Sequence, residues 1–253
     1  MAGTAARGVA CGGERDYSRS FTLSDSGRRV KRRFRLDRAN RIVLLMFTGL
    51  VESLGRIAAV IPEPPGIRLA VEAAAIAQDA VLGESICVNG CCLSVVRIDG
   101  PRLEFQLGPE TLICTTLGRL VPNASVNLER SMRPTDRLGG HLLTGHVDGV
   151  GRLESRVQEG DWVKCWFSAA QALLLQMAPK GSVAIDGVSL TVVDVSQTAL
   201  GVAFIPHTLA NTTLGLLEVE APVNLETDLV FKYVARWLES REGSASVFKE
   251  QKK

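Results

Sequence analysis

The sequence has few aromatic residues, few histidines and little net charge. Aromatic residues make up 5% of its 253 residues, three residues are histidines, and the formal charge at pH 7 is +2. Residues 1–45 carry 11 Lys/Arg against 4 Asp/Glu, which leaves 18 against 23 for the remainder. A mildly acidic body with few rings lacks the basic, stacking surface of a nucleic-acid binder, so we expect no nucleic-acid partner.

Long apolar stretches are also absent. The longest one near the start, from Ile42 to Val51, is too short to cross a bilayer, so we expect no membrane partner. A secretory signal would begin closer to the start of the chain. The six cysteines have no regular spacing, which disfavours a disulfide framework and a zinc site and favours a reducing, cytoplasmic compartment.

The chain does contain an internal repeat, which fixes its organisation before any motif is considered. A shift of 97 positions aligns residues 110–129 with residues 207–226, and 12 of the 20 positions are identical. Two further blocks recur in the same order: residues 85–96 align with 182–193, and residues 47–57 align with 143–153.

The repeat predicts a division of the chain into four parts. A leader covers residues 1–45, a first unit covers 46–142, a second unit covers 143–239, and a tail covers 240–253. The Arg- and Ser-containing leader suits an organelle transit peptide, but it equally suits translation from a start codon upstream of the true start at Met46, or a disordered tail. We favour the last two interpretations.

Each unit has the pattern of a small β-barrel. In unit one, two short apolar segments flank Asn89-Gly90, which predicts a strand, a two-residue turn and a second strand. Asp186-Gly187 repeats this turn in unit two, and both dipeptides favour the positive φ angles of a type I′ hairpin. Many short strands separated by Gly and Pro predict one closed barrel per unit.

One long helix is predicted near the end of the chain. After a cap at Thr227, apolar residues recur at helical spacing and form one stripe: Leu229, Val230, Tyr233, Val234, Trp237 and Leu238. Such a stripe is usually part of a core, but beyond the second barrel it could serve a subunit contact.

Together these features resemble the riboflavin synthase α-chain family. The resemblance covers residues 46 to about 239, and the order, spacing and duplication of its motifs make it specific. The motifs are Met46-Phe47-Thr48-Gly49, the NG and DG turns, two TTLG blocks, and Gly139-Gly140-His141 before Thr144-Gly145-His146-Val147. The resemblance implies an all-β fold, a tandem of two similar six-stranded Greek-key barrels plus a C-terminal α-helix. It also implies a homotrimer and leaves association with lumazine synthase open.

By the same resemblance, the reaction is a dismutation. Two molecules of 6,7-dimethyl-8-ribityllumazine, one bound by each barrel, exchange a four-carbon unit. The products are riboflavin and 5-amino-6-(ribitylamino)uracil, and no metal or redox cofactor takes part. The reaction needs a base for the acidic 7-methyl group of one lumazine, a nucleophile for C7 of the other, and polar groups that hold both rings.

The resemblance assigns two overlapping sets of site residues, and both sets fall on the repeated blocks. The catalytic candidates are Ser85, Cys92, His146, Thr191 and Asp228. The substrate-binding candidates are Phe47, Gly49, Leu50, Val51, Cys92, Leu93, Ser94, Gln106, Leu107, Gly108, Pro109, Glu110, Thr111, Gly145, His146, Val147, Lys180, Ser189, Leu190, Thr191, Ala203, Phe204, Ile205, Pro206, His207 and Thr208.

Several candidates also have a plainer interpretation. Cys92 could be a small buried hydrophobe, as cysteines in strands usually are. His146 could be a satisfied strand histidine, although an imidazole suits proton transfer near pH 7. Asp228 could only complement the dipole of the first helical turn. For Thr115 and Thr116 we prefer hydrogen bonds to the backbone at turns.

The repeats differ at a few polar positions, where the roles of the two pockets would diverge. Cys92 is equivalent to Ser189, and Ser94 to Thr191. We expect Cys92 in one pocket, and His146 with Thr191 in the other. Competing functions are a non-catalytic lumazine- or flavin-binding antenna and an oligonucleotide-binding pair of barrels. The acidic body disfavours the second, and polar residues in both units favour an enzyme over the antenna.

Overall fold

The computed structural model describes residues 46–250, with side chains through residue 240. The leader of residues 1–45 therefore lies outside the described residues. The described part forms two closed, six-stranded antiparallel barrels with the same strand order, which confirms the predicted all-β tandem and its C-terminal helix.

Each barrel consists of six strands and two short α-helices. In the first barrel these are β1 (Ser53–Glu63), β2 (Gly66–Glu72), α1 (Ala74–Ala77), β3 (Ser85–Val88), β4 (Cys91–Asp99), β5 (Arg102–Leu107), α2 (Pro109–Cys114) and β6 (Ser125–Arg130). In the second they are β7 (Gly149–Glu159), β8 (Trp162–Ser168), α3 (Gln171–Leu174), β9 (Ser182–Ile185), β10 (Val188–Val195), β11 (Ala199–Phe204), α4 (Pro206–Asn211) and β12 (Pro222–Thr227). Helix α5 (Leu229–Glu250) follows.

The predicted hairpins are confirmed. Strands β3 and β4 pair with Val88 opposite Cys91, and β9 and β10 pair with Ile185 opposite Val188. The first turn residue has a φ of 44° at Asn89 and 46° at Asp186, in the left-handed region that a type I′ turn requires. The turn type is therefore the same in both repeats, although one residue is neutral and the other is acidic.

The two hairpin turns meet back to back between the barrels. A Cβ atom added to Gly90 would lie 2.8 Å from the backbone nitrogen of Gly187, so a side chain has no room at this contact. Beside the turns, Phe47, Cys87, Leu143 and Ala184 form a small buried apolar cluster that draws two residues from each unit. The remainder of each barrel interior is a separate apolar core.

Two buried asparagines cross-link the barrels reciprocally. Asn127 Nδ2 donates to the carbonyl oxygen of Asp186 at 2.9 Å, and Asn127 Oδ1 accepts from the backbone of Thr213 at 2.8 Å. Asn224 makes the matching bonds in the other direction, to the carbonyl oxygen of Asn89 and from the backbone N–H of Thr116, both at 2.7 Å. The VNLE and TTLG blocks and the hairpin turns of the repeat thus supply the reciprocal hydrogen bonds of the asparagines at this interface.

The first threonine of each TTLG block serves local structure, as preferred from the sequence for Thr115, whereas the hydroxyl of Thr213 accepts from Asn127 Nδ2 across the interface at 2.9 Å. Thr115 Oγ1 donates to the carbonyl oxygen of Thr111 at 2.6 Å and accepts from the backbone of Leu117 at 3.2 Å, which caps a 3₁₀ turn over Thr116–Arg119. Thr212 makes the equivalent contacts before the 3₁₀ turn over Thr213–Leu216.

The residue that caps the C-terminal helix is Asp228, one position later than the predicted cap, Thr227. The carboxylate of Asp228 accepts from the backbone of Val230 at 2.8 Å and takes the capping position. Thr227 is unavailable because its fully buried side chain ends β12 and hydrogen-bonds Asp148 and Gln176. The helix continues to Glu250, through most of the predicted tail of residues 240–253. In the part of the chain that the structure describes, no helix combines the length and apolar composition needed to span a bilayer.

The turn asymmetry predicts a pH-dependent stability. Asp186 is 4% exposed, and burial raises the pKa of its carboxyl group from 3.8 to about 7. The folded state holds this proton more tightly than the unfolded state. The contribution of the protonated carboxyl group to the free energy of unfolding is therefore fully present below pH 3.8 and is lost as the pH rises through 7.

We therefore expect Asp186→Asn, which copies Asn89, to stabilise the protein by on the order of 2–4 kcal/mol at pH 8 and by much less at pH 4. Urea unfolding of both proteins at the two pH values measures the difference. Asn89→Asp, the reciprocal change, should destabilise the protein at pH 8. A stability difference that does not change with pH would contradict the assignment.

Candidate active site

The site is organised by two equivalent loop segments that lie between the barrels. Phe47 and Leu143 pair as an antiparallel bridge, which places Thr48-Gly49 and Thr144-Gly145 on opposite sides of it. Each of these dipeptides follows the start of its own unit and precedes the first strand of its barrel. The two units therefore meet through their leading segments as well as through their hairpins.

A buried carboxylate anchors each segment to its own barrel. Glu129 of β6 accepts from the backbone and the hydroxyl of Thr48, both at 2.7 Å, and from the backbone of Gly49 at 3.0 Å. Glu226 of β12 accepts from the same groups of Thr144 at 2.7 Å and from the backbone of Gly145 at 3.1 Å. Burial raises the pKa of both carboxyl groups, and these hydrogen bonds oppose the rise.

Each anchored segment then reaches the opposite barrel. The carbonyl oxygen of Gly145 accepts from the backbone of Cys92 at 2.8 Å, and that of Gly49 accepts from the backbone of Ser189 at 2.9 Å. Both glycines have positive φ, 74° and 77°, and a Cβ atom on either would lie 2.6 Å from the Cβ of its partner. Only glycine permits this approach.

The first set of candidate residues surrounds Cys92 at one end of barrel one. Cys92 is half-buried and Ser94 is exposed on β4, and the start of β4 lies beside the end of β5, where residues 106–111 begin. Ser85 is buried, and its interaction with the Cys92 thiol lowers the pKa of that thiol. Burial nevertheless raises the pKa of that thiol, so Cys92 is a neutral thiol at pH 7.

The second set surrounds Ser189 at the equivalent end of barrel two. Ser189 is half-buried and Thr191 is exposed on β10, beside the end of β11, where residues 203–208 begin. Lys180 is exposed, and its backbone donates to the carbonyl oxygen of Val192 at 2.7 Å, which holds it next to Thr191. His207 is exposed at the start of α4.

The structure corrects the expected position of His146. We expected His146 with Thr191, because both belong to the second unit. Instead, Gly145 lies against Cys92, so the following residue, the exposed His146, belongs to the first set. In the same way, Gly49 lies against Ser189 and brings the segment of residues 49–51 to the second set. Each set thus combines one barrel with the leading segment of the other unit.

Sequence reasoning missed His141 as a site residue. Its Nδ1 atom lies 2.7 Å from Ser189 Oγ, and its backbone donates to the carbonyl oxygen of Thr48 at 3.1 Å. Burial lowers the pKa of His141, and the negative charge of Asp228 acts in the opposite direction, which associates Asp228 with the second set. The sequence contains a signal for this residue, because Gly139-Gly140-His141 is one of the motifs of the family resemblance. That resemblance assigned no role to the imidazole.

Several substrate-binding candidates have side chains that a ligand cannot reach in a single chain. The side chains of Phe47, Leu107 and Phe204 are at most 2% exposed, and Leu93 and Leu190 face the barrel cores. These residues would contact a ligand through their backbone. Leu50, Glu110 and Ile205 are exposed.

Three of the other four described cysteines serve packing, and the fourth, Cys114, hydrogen-bonds Glu110 at 3.4 Å. Cys87, Cys91 and Cys165 are buried, and burial raises the pKa of the Cys91 thiol to about 12 and that of Cys165 to about 11. Among the described side chains, no group of three or more His, Cys, Asp and Glu residues is placed to hold a metal ion. A cleft between the barrels, lined by Arg119 and Asp186 among others, contains none of the predicted site residues.

Comparisons with known proteins agree with this architecture. The lumazine binding domain family matches the chain twice, over residues 48–131 and 144–228. The riboflavin synthase of Actinobacillus pleuropneumoniae is 38% identical over 195 residues, which cover 76% of this chain and 90% of that protein. The enzyme of Bacillus subtilis is 34% identical over 193 residues, with coverages of 76% and 90%. The structure of LumP complexed with riboflavin superposes with a TM-score of 0.67 at 29% identity, over 72% of this chain and 98% of LumP. LumP complexed with 6,7-dimethyl-8-(1'-D-ribityl) lumazine superposes with a TM-score of 0.65.

Two matching barrels, each with a polar set at the same end, define a protein built from a tandem pair of lumazine-binding domains. Within that class, the identity to the curated enzymes extends over both barrels. The chain belongs to the riboflavin synthase family.

The carboxylate anchors give a prediction that separates the two sets. In Glu226→Gln, the new amide group faces the N–H of Gly145, so the segment against Cys92 loosens. We expect the thiol reagent iodoacetamide to modify Cys92 faster by roughly fivefold. The reason is that the loss of one hydrogen bond shifts the equilibrium toward the loosened segment by about that factor. Peptide mass spectrometry of the labelled protein measures this rate.

Glu129→Gln is the matched control, since its carboxylate holds the segment against Ser189 instead. It should leave the Cys92 rate unchanged. Equal acceleration in both variants would mean that the anchors stabilise the interface as a whole rather than one set each.

Proposed function

We propose that this protein is a riboflavin synthase. Two molecules of 6,7-dimethyl-8-ribityllumazine bind, one at each set, and a four-carbon unit passes from one to the other. One molecule becomes riboflavin and the other 5-amino-6-(ribitylamino)uracil, so all atoms are accounted for without an oxidant or reductant. The observation that carries the proposal is the equivalent placement of Cys92 and Ser189, each half-buried at the same register position of its barrel.

The two sets supply different chemistry to the two lumazines. The Cys92 set offers a neutral, polarizable thiol, the buried hydroxyl of Ser85 and the exposed imidazole of His146. The Ser189 set offers hydroxyls at Ser189 and Thr191, with the carboxylate of Asp228 on the His141 side. Because the thiol is neutral, Cys92 polarises and orients a ring, and proton transfer to or from the 7-methyl group falls to His146.

Positioning is the largest contribution that this arrangement makes. Holding two reactants in the correct geometry lowers the activation free energy by about 7–11 kcal/mol. One general acid or base contributes roughly 10²- to 10⁴-fold in rate. The anchored segments suit this task because glycine carbonyls and buried carboxylates fix them at both ends.

We further propose that the protein is a homotrimer through α5. The helix presents a row of exposed apolar side chains: Val230, Tyr233, Val234, Trp237 and Leu238, each at least 46% exposed. A stripe of this kind on a single chain is typical of a protein interface. The five described cysteines are all free thiols, which supports a reducing, cytoplasmic location. Association with lumazine synthase rests on the family resemblance alone.

The proposed activity predicts a simple assay. Purified protein mixed with 6,7-dimethyl-8-ribityllumazine should develop riboflavin fluorescence without added metal or nucleotide. Tight binding of the lumazine without riboflavin formation would instead identify an antenna protein.

Substitutions in the first set test the roles of its side chains. Cys92→Ser and His146→Gln should each lower kcat at least about tenfold with an intact fold, because one loses the polarizable thiol and the other the proton carrier. Cys91→Ala is the control, since the Cys91 side chain faces the core; it should lower Tm and leave kcat unchanged. Wild-type rates in both site variants would exclude these residues from the mechanism.

The helix stripe predicts the basis of assembly. Replacing both Val234 and Leu238 with Glu should convert trimers into monomers of 27.2 kDa in light scattering, because two charges would be buried in the contact. Arg236 lies on the same helix outside the apolar stripe and forms an ion pair with Glu239. Arg236→Ala should therefore leave the trimer intact. A trimer that survives the double substitution would place the contact elsewhere.

A further inference from the structure

His141 is held rigidly against the second set. It is 8% exposed, its Nδ1 atom lies 2.7 Å from Ser189 Oγ, and its backbone is bound to Thr48. The preceding residue, Gly140, also lies close to the serine, since a Cβ atom there would come within 2.9 Å of Ser189 Oγ. This close packing fixes the imidazole relative to the serine hydroxyl.

The other ring nitrogen decides the direction of the hydrogen bond. Nε2 of His141 is buried and has no hydrogen-bond partner among the described residues. A neutral imidazole carries one N–H group and one lone pair. If the proton were on Nε2, a buried N–H group would be left without an acceptor, which is rarer in proteins than an unpaired acceptor. The proton therefore belongs on Nδ1, where it faces Ser189 Oγ.

We propose that His141 is a positioning residue that donates its Nδ1–H to Ser189 Oγ, so that the serine hydroxyl gives its own proton to a ring nitrogen or carbonyl oxygen of the bound lumazine. This inference deepens the proposed function, on which it rests. Ser189 is then a directional hydrogen-bond donor rather than a nucleophile, because His141 presents an N–H group to its Oγ and so cannot accept the serine proton.

The first set has a parallel arrangement with a different donor. There the buried Ser85 is the polar neighbour of the Cys92 thiol and lowers its pKa. Repeat one has Leu45 at the position equivalent to His141, and Leu45 lies outside the described residues. The half-buried residue at the centre of each set thus has a buried polar neighbour, but the hydroxyl of Ser189 is a stronger hydrogen-bond donor than the thiol of Cys92. We therefore expect the second barrel to contribute more to the orientation of a bound ring.

A mutant cycle on riboflavin binding tests the inference. His141→Leu copies the residue of repeat one and removes the donor together with the buried, unpartnered Nε2 atom, so the protein should remain folded. It should weaken binding of riboflavin at one of two sites by about tenfold, as measured by fluorescence quenching. His141→Asn keeps an N–H group near the Nδ1 position and should restore most of that affinity.

Ser189→Ala and the double variant with His141→Leu complete the cycle. If His141 acts only through the serine, the double variant should bind no more weakly than Ser189→Ala alone. Additive losses would overturn the inference, as would wild-type binding in His141→Leu. Normal binding in His141→Asn with loss of kcat and of its pH dependence would identify His141 as a base instead.

The readout is independent of turnover. A wild-type protein that binds riboflavin but makes none would contradict the proposed function, and the cycle would still decide the role of His141. A wild-type protein that binds neither riboflavin nor the lumazine would overturn both.

Discussion

The structure depends on the need to satisfy polar groups that become buried when the two barrels meet. Asn127 and Asn224 lie at the centre of this contact, and each bonds backbone groups of the opposite unit through both its amide oxygen and its amide nitrogen. A side chain of another shape would leave these groups without partners, at a cost of about 1–3 kcal/mol for each one. The reciprocity of the bonds sets the relative position of the barrels, and hence which leading segment reaches which site.

This constraint explains why the repeat is so easily seen in the sequence. The identical positions include the asparagine and glutamate of both VNLE blocks and the threonines of both TTLG blocks, which hold the interface or anchor the leading segments. Positions in the two candidate sets differ more, as with Cys92 and Ser189. Identity between the repeats therefore marks shared architecture, and divergence between them marks the site.

Much of the fold could be predicted from local patterns. The Asn-Gly and Asp-Gly turns specify type I′ hairpins by their own chemistry, and the apolar stripe after Thr227 specifies a helix. The composition of the two sets could not be predicted in this way, because His146 and Gly49 serve the barrel that they do not belong to in sequence. The helix cap was displaced by one residue for a similar reason, since contacts with Asp148 and Gln176, distant in sequence, engage Thr227.

The two hairpin turns at the interface differ in charge, and this difference is possible only because both repeats belong to one chain. A chain with one repeat, assembled through the same reciprocal contacts, would form a symmetric dimer in which every substitution appears twice. An aspartate at the turn would then occur twice at the same buried contact, and the two charges would repel each other. Fusion of two copies into one chain removes that restriction, because Asp186 can be acidic while Asn89 stays neutral. A single chain with two repeats can thus combine asymmetric solutions, in the turns and in the sites, that a symmetric dimer of one repeat cannot adopt.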